Sequence, residues 1–512
     1  MIDNTHFDIL NVIETHGTYQ PEKLAICCGE KKRLWQDLKH NINKVANYFK
    51  KIGVDKGDNV ALLIGNRPEI IEFIFGIVKM GACVVPLSGL LTREQVTVLV
   101  NNSDAKFFVV DNEFLDLVTS DLSKLKNIDK ENLLFLGGEQ DCWEKISSEK
   151  NDYGFEYNCV PEDNFNIIYS SGTTGVPKGI VQTHRARSHW ATSNAIEMSF
   201  NSECRSLTTT ALYSNGTWLM MLPTLFVGGT LHVMNGFDPR AFMDLVKRES
   251  ITHTFLVPPQ FSAILSSENL ERENFNSLKT ILSAGSPLRL DLKEDILLRM
   301  SENLFELYGF SEGFATMLKP DDQRKKFGSV GTPVLGFEIK IIDEKGKECA
   351  PNVAGEIAGY GAGMMKEYYR EVELTNNLIW TDTRGRSFIK SGDIGSLDED
   401  GFLTILDRKK DMIISGGLNV FPVDIEEVVG KHPDIIDVTV IGVPHEKWGE
   451  SCLALIIPKD GVEIDCNEIK KWSNEKLAKH QRLDKVEIRE EFPRNALGKV
   501  LKRVLREPYW SQ

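Results

Sequence analysis

None of the nine cysteines scattered from Cys27 to Cys466 has the CxxC spacing of a zinc or redox site, and only Cys27 and Cys28 are close neighbours. An odd count without framework spacing argues against a disulfide scaffold and predicts free thiols in a reducing compartment. A long apolar run is missing too. The most apolar window, Ile70 to Leu91, is broken by Glu72, Lys79, Gly81 and Pro86, short of the about 20 apolar residues a membrane span needs. The opening residues Met1 to Phe7 carry neither the basic start nor the apolar stretch of a signal peptide, so a cytoplasmic protein with no transmembrane segment is expected. Basic charge is in deficit, 60 Lys and Arg against 74 Asp and Glu, a net −14. That field repels a phosphate backbone and argues against nucleic acid as the main partner, while a few lysines and helix N-termini can still hold a small anion.

What is present fits a globular chain: 512 residues, 41% hydrophobic and 26% charged. At roughly 100–200 residues per domain, two to four folding units follow. Through the first 330 residues, short apolar runs alternate with amphipathic stretches, which predicts βαβ units around largely parallel, doubly wound sheets. Asn59–Ile64 reads as a buried strand. A helix opens at Arg67-Pro68-Glu69 and runs to Met80, with proline in its favoured first turn. Further strands are expected at 82–86, 106–111, 166–170, 230–234, 254–257 and 280–283.

After about Gly328 the texture changes to short alternating strands between glycine-rich turns, as in Glu338–Asp343 and Gly401–Leu406. This predicts a small antiparallel, β-barrel-like subdomain at about 328–406. The charge run Asp407-Arg-Lys-Lys-Asp411 then precedes about 100 residues with their own α+β pattern, so it reads as a hinge. Expected domains are 1–407 and 408–512.

The most informative stretch is Tyr169-Ser-Ser-Gly-Thr-Thr-Gly-Val-Pro-Lys-Gly179. Small residues here let backbone N–H groups converge on phosphate oxygens, and Ser170, Ser171, Thr173 and Thr174 add hydroxyl donors. It is not a Walker A loop, because Pro177 precedes Lys178 and Gly179 follows it. Five further motifs follow in order: Ser283-Ala-Gly-Ser-Pro-Leu288, Tyr308-Gly-Phe-Ser-Glu312, Ser391-Gly-Asp393, the 407–411 run, and Pro493-Arg-Asn-Ala-Leu-Gly-Lys499.

Over nearly its whole length the chain resembles the adenylate-forming superfamily of acyl- and aryl-CoA synthetases, peptide-synthetase adenylation domains and beetle luciferases. The resemblance implies an ATP site made of Ser170, Ser171, Gly172, Thr173, Thr174, Gly175, Lys178, Gly285, Ser286, Tyr308, Gly309, Ser311, Asp393 and Arg408. Tyr308 would stack on adenine and Asp393 would accept the ribose hydroxyls. Glu312, a hard oxygen ligand, would hold Mg²⁺ together with Thr173. Lys499 would bridge the acid's carboxylate and the α-phosphate, so Lys499, Thr173 and Glu312 form the catalytic set. Lys410 occupies the hinge place, and Gly416 and Gly417 would line a tunnel for coenzyme A. The helix beyond, with Lys502 and Arg506, reads as a solvated or anion-binding face.

The implied acyl pocket draws on Tyr213, Ser214, Gly216, Trp218, Gly285 and Gly313, with Met220, Met221 and Leu288 adding apolar lining. Ser214 and Ala211 replace the histidine and proline of the usual Pro-Leu-aromatic-His run. No acidic residue follows Thr210 to hold an amino acid's ammonium, which favours a nonpolar fatty acid, medium or long in chain, or an aryl acid. The leading expectation is a stand-alone, AMP-forming acid:CoA ligase using ATP, Mg²⁺ and CoA. A ligase that loads a carrier-protein thiol and an inactive nucleotide-binding relative are the alternatives. Oligomeric state, a homodimer included, stays open.

Overall fold

The computed structural model describes residues 8–139, 141–149, 159–170, 178–268, 270–415, 418–459, 461–494 and 498–510. The first parallel system is a seven-stranded sheet. Across it lie Leu133–Leu136, Phe107–Asp111, Asn59–Leu63, Cys83–Pro86, Asn164–Ser170, Lys178–Thr183 and Glu367–Tyr368. The first five run parallel, Lys178–Thr183 runs against them, and Glu367–Tyr368 pairs antiparallel with Lys178–Thr183. Every residue of Asn59–Leu63, Cys83–Pro86 and Phe107–Asp111 is buried, which is why these strands read as continuous apolar runs rather than alternating ones. The broken apolar window resolves into the helix Pro68–Lys79 and the strand Cys83–Pro86. That helix is buried on all sides, so its charges are paired inside: Glu72 accepts from Arg33 at 2.8 Å and Asn41 at 2.6 Å, and Lys79 meets Glu14 and Asn43. Gly76 lets the helix close on Trp35–Lys51, because a Cβ there would sit 2.6 Å from that of Val45.

A second, nine-stranded sheet runs Lys31–Leu34, Leu24–Cys28, Thr230–Val233, Arg205–Thr208, His253–Leu256, Thr280–Ser283, Leu304–Gly309, Ala315–Leu318 and Thr332–Pro333. Its six strands from Leu24–Cys28 to Leu304–Gly309 are parallel. One apolar core joins the two sheets through helices Trp35–Lys51, Pro68–Lys79, His184–Glu197 and Trp218–Val227. The doubly wound body expected from the alternation is present, with strand ends within one or two residues of the expected ones.

The β-rich segment forms a five-stranded antiparallel sheet of Phe337–Ile342, Gly355–Gly361, Ile379–Thr381, Ser387–Leu397 and Leu403–Arg408. It is not sealed off in sequence. Thr332–Pro333 and Glu367–Tyr368 leave the segment to complete the nine- and seven-stranded sheets. Leu403–Arg408 is its last strand, with Arg408 paired to Asp393.

Beyond residue 412, Ile413–Ser415, Leu418–Val420, Ile435–His445, Gly449–Pro458 and Leu483–Ile488 build a smaller sheet with its own core. The α+β pattern expected here includes the helix Cys466–Asn474. The terminal helix Lys502–Trp510 corrects an expectation. Lys502 is paired with Glu426 at 2.7 Å, and Arg506 donates to the Lys410 carbonyl at 2.8 Å and meets Asp411 at 3.4 Å. Neither cation is a solvated face, because the buried Asp407 and the half-buried Asp411 and Glu426 need neutralising partners. Desolvation still pushes the Asp407 carboxyl up to about 6. No helix among the described residues is long and apolar enough to cross a membrane.

Candidate active site

Parallel strands present their carboxyl ends on one side, where chain reversals leave a crevice for ligands. The sequence motifs gather there. Tyr308 and Gly309 end the strand Leu304–Gly309, and Ser311 and Glu312 follow. Gly285 and Ser286 follow Thr280–Ser283, with Gly285 at φ +91°, a conformation glycine adopts without strain. Ser170 closes Asn164–Ser170 and pairs with Lys178, which opens the returning strand. Ser171, Gly172, Thr173, Thr174 and Gly175 lie outside the described residues, as do Gly416 and Gly417.

Around Asp393 the body and the C-terminal unit meet. Asp393 is 8% exposed; one carboxylate oxygen accepts the Tyr308 hydroxyl at 2.8 Å and the other faces Arg408 Nε at 3.3 Å. Tyr308, expected as a flat stacking face, is held edge-on to Phe314 and through its hydroxyl to Asp393. Burial, with the Asp393 charge beside it, drives its pKa well up. Lys499 comes from the far end of the chain into the same field. Desolvation, the Arg408 guanidinium and the Lys410 ammonium pull its pKa down to about 8 against the attraction of Asp393 and Asp411. Desolvation first, then Arg408 and Lys178, bring Lys410 to about 8 as well. Gly498 allows this approach: at φ +79°, a Cβ there would sit 2.8 Å from Pro259 Cγ of helix Pro258–Leu265. Arg408, Lys410 and Lys499 thus share one electrostatic field with Asp393 and Asp411, and Lys178 is close enough to act on Lys410.

Glu312 occupies a second corner. Its Oε1 accepts the Tyr368 hydroxyl at 2.7 Å, and Lys178 Nζ stands 5.0 Å over the Tyr368 ring. Tyr368 was not legible in the sequence as a site residue; it arrives on the short strand Glu367–Tyr368 that edges the sheet beside Lys178–Thr183. Among the described residues no three His, Cys, Asp or Glu side chains cluster as a metal cage. A lone hard carboxylate suits Mg²⁺, which takes few protein ligands and the rest from water and phosphate oxygens.

The acyl segment after Thr208 is a run of turns ending in the helix Trp218–Val227. Asn66 fastens it: its amide donates to the Thr210 carbonyl at 3.3 Å and its oxygen accepts from Leu212 N at 2.9 Å. Tyr213, Ser214 and Gly216 are half-buried beside the crevice, and burial raises the Tyr213 phenol. Gly313 is buried in the turn after Glu312. Trp218, Met220, Met221 and Leu288 differ from the expected lining. They are at most 7% exposed and belong to the core, because Trp218 donates to the Leu212 carbonyl at 2.8 Å and packs against Phe165. What covers the Trp218 ring is Arg187, its guanidinium carbon 4.5 Å above it. Arg187, Asn215 and Asn66 escaped the sequence reading; an arginine on the buried face of helix His184–Glu197 was the available signal for the first.

Two wound sheets with a carboxyl-end crevice, and a smaller C-terminal domain that brings Lys499 into the field of Asp393, are the architecture of the adenylate-forming enzymes. The chain belongs to the AMP-binding enzyme family, whose model matches residues 13–369, and the AMP-binding enzyme C-terminal domain matches residues 424–499. It is 30% identical over 495 residues to a feruloyl-CoA synthase of Amycolatopsis sp, covering 96% of each chain. It is 30% identical over 500 residues to a 2-succinylbenzoate–CoA ligase of Geobacillus kaustophilus, covering 97% of each. Among solved structures, ATP-bound MatB from Rhodopseudomonas palustris superposes with a TM-score of 0.90 at 27% identity, over 98% of this chain and 99% of that one.

Proposed function

We propose that this protein is an AMP-forming acid:CoA ligase acting on a fatty or aryl carboxylic acid. The carrying observation is the convergence of Lys499, Arg408 and Lys410 on Asp393 beside the end of Leu304–Gly309. In the first step a carboxylate oxygen attacks the α-phosphorus of ATP; the O–P bond forms as the α–β bridging bond breaks and pyrophosphate departs. Little covalent work is asked of the protein, so fixed cations and positioning supply the rate. Lys499 would neutralise charge shared by the carboxylate and α-phosphate oxygens. Asp393 would exchange the Tyr308 hydroxyl for ribose hydroxyls. In the second step the CoA thiol releases its proton to solvent, sulfur bonds to the acyl carbon, and the bond from that carbon to the phosphate oxygen breaks to release AMP.

The two steps need different groups at one acyl carbon, so the C-terminal unit must move. The body would end and the cap begin at the turn after Arg408, with Lys410 as the pivot. The charge run still reads as the boundary, although Arg408 belongs to the body's last ladder. The similarity to a feruloyl-CoA synthase and a 2-succinylbenzoate–CoA ligase supports a CoA acceptor and leaves the acid open. Half-buried Tyr213 and an acyl segment without a carboxylate support an apolar acyl body over an amino acid. The deciding assay follows AMP and pyrophosphate release across fatty acids, benzoates and cinnamates, with CoA, with a carrier protein, and with neither. Acid-independent or absent release would sink the ligase reading.

Tyr368 gives a smaller prediction. Removing its hydroxyl frees Glu312 from a hydrogen bond to a charged group. Tyr368→Phe is therefore expected to lower the adenylation rate at limiting Mg²⁺ about tenfold. Titration of Mg²⁺ in the pyrophosphate assay should recover most of that loss, whereas an unchanged Mg²⁺ requirement would detach Tyr368 from the carboxylate's role.

A further inference from the structure

Arg187 is 2% exposed, yet no carboxylate among the described residues neutralises it. Its two fixed partners are neutral: Nε donates to Asn166 Oδ1 at 2.7 Å and Nη1 to Asn215 Oδ1 at 2.8 Å. Those bonds also set both amide orientations, since a guanidinium has only donors. Asn215 therefore donates its amide to Ser311 Oγ at 3.2 Å. Gln182, paired with Asn166 across the ladder, donates to the Ser311 carbonyl at 2.7 Å. These bonds link Asn166, Arg187, Asn215, Ser311 and Gln182 in an open chain, which leaves buried polar atoms over, the acceptor Gln182 Oε1 among them. Arg187 Nη2 and Asn166 Nδ2 are buried and, among the described residues, have no hydrogen-bond partner.

A buried cation with an open donor beside a second open donor is an anion site waiting for its acceptor, because isolated buried charge is strongly disfavoured. Its place in the fold says which anion. Asn215 lies between Ser214 and Gly216 on the half-buried acyl segment, and Ser311 directly precedes Glu312. Arg187 thus stands one hydrogen bond from the acyl segment, through Asn215. A planar guanidinium with a free edge matches a carboxylate.

We propose that Arg187, with Asn166 and Asn215, forms a subsite for a second carboxylate at the far end of the acid substrate. The proposal rests on the ligase reading and narrows it: the preferred acids are dicarboxylic, with an apolar fatty or aryl body between the two carboxylates. Asn215 turns aside to admit the distal carboxylate, and Trp218 forms the floor under the guanidinium.

Wild-type enzyme tests this with size-matched pairs: straight-chain monoacids against α,ω-diacids, and phenylpropionate against its ring-carboxylated isomers, each followed by pyrophosphate release. At least one diacid is expected to exceed its matched monoacid by about a hundredfold in kcat/KM. Monoacids equal to or better than every diacid would overturn the subsite while leaving the ligase reading intact. No release with any acid would overturn both. Arg187→Leu is expected to abolish that preference, mostly through the diacid's KM, with Arg187→Lys recovering part of it. An ATP-induced rise in melting temperature shows that each variant is folded. A folded Arg187→Leu that keeps the diacid preference also overturns the proposal.

Discussion

Lys499→Ala is expected to lower acyl-adenylate formation about a thousandfold, the scale of losing one preorganised charge at a developing oxyanion. Thioester formation from supplied acyl-adenylate and CoA should stay within about twofold, because in that half-reaction the phosphoryl transfer is already complete. Lys499 reaches the crevice on the turn after Gly498, whose close approach to Pro259 would be blocked by any larger residue. Its neighbours Arg408 and Lys410 do not replace it. Arg408 is committed to Asp393 at 3.3 Å, and the Lys410 carbonyl is held by Arg506 at 2.8 Å. The measurement is a pair of single-turnover assays, one from acid plus ATP and one from synthetic acyl-AMP plus CoA. Equal losses in both would mean that Lys499 holds the cap in place rather than serving the first step.

The site residues legible in the sequence lie in short contiguous runs, and several of those runs fall at a strand end. Tyr308 to Glu312 and Gly285-Ser286 are such runs, so residue type and order announce them. Arg187, Asn166, Gln182 and Asn215 instead join one hydrogen-bonded chain from four places, through bonds that span up to 129 residues. No local pattern carries that information. Tyr368 was hidden for the same reason, meeting Glu312 from 56 residues away. The sheets show a parallel contrast. Buried strands such as Phe107–Asp111 are apolar up to their last residue and were plain. Two-residue strands such as Thr332–Pro333 and Glu367–Tyr368 are defined by their ladder partners alone. The terminal helix was misread because lysine and arginine are ordinarily solvated. Only the fold reveals that Asp411 and Glu426 are there to receive them.

The pH dependence of adenylation should report the crowded cations directly. Burial, Arg408 and Lys410 bring Lys499 to about 8, against 10.5 for an ordinary lysine. The sign is unambiguous. Below that value Lys499 is charged and can neutralise the reacting oxygens; above it the free enzyme loses that charge. The kcat/KM for acid activation, followed by ATP–pyrophosphate exchange, is therefore expected to be flat up to about pH 8 and then to fall about tenfold per pH unit. By pH 10 the loss reaches about a hundredfold. Lys410 lies at about 8 too, so Lys499→Arg separates the two: arginine stays charged, and any limb surviving in that variant belongs to Lys410. Bound triphosphate adds negative charge nearby and favours the ammonium, which should move the limb in kcat to higher pH than the limb in kcat/KM. A profile flat to pH 10 would mean that Lys499 keeps its charge without help and that the cations do not crowd. In a chain with a net charge of −14, anionic substrates meet a local cluster of cations, and its cost is that Lys499 gives up its proton more readily than an ordinary lysine.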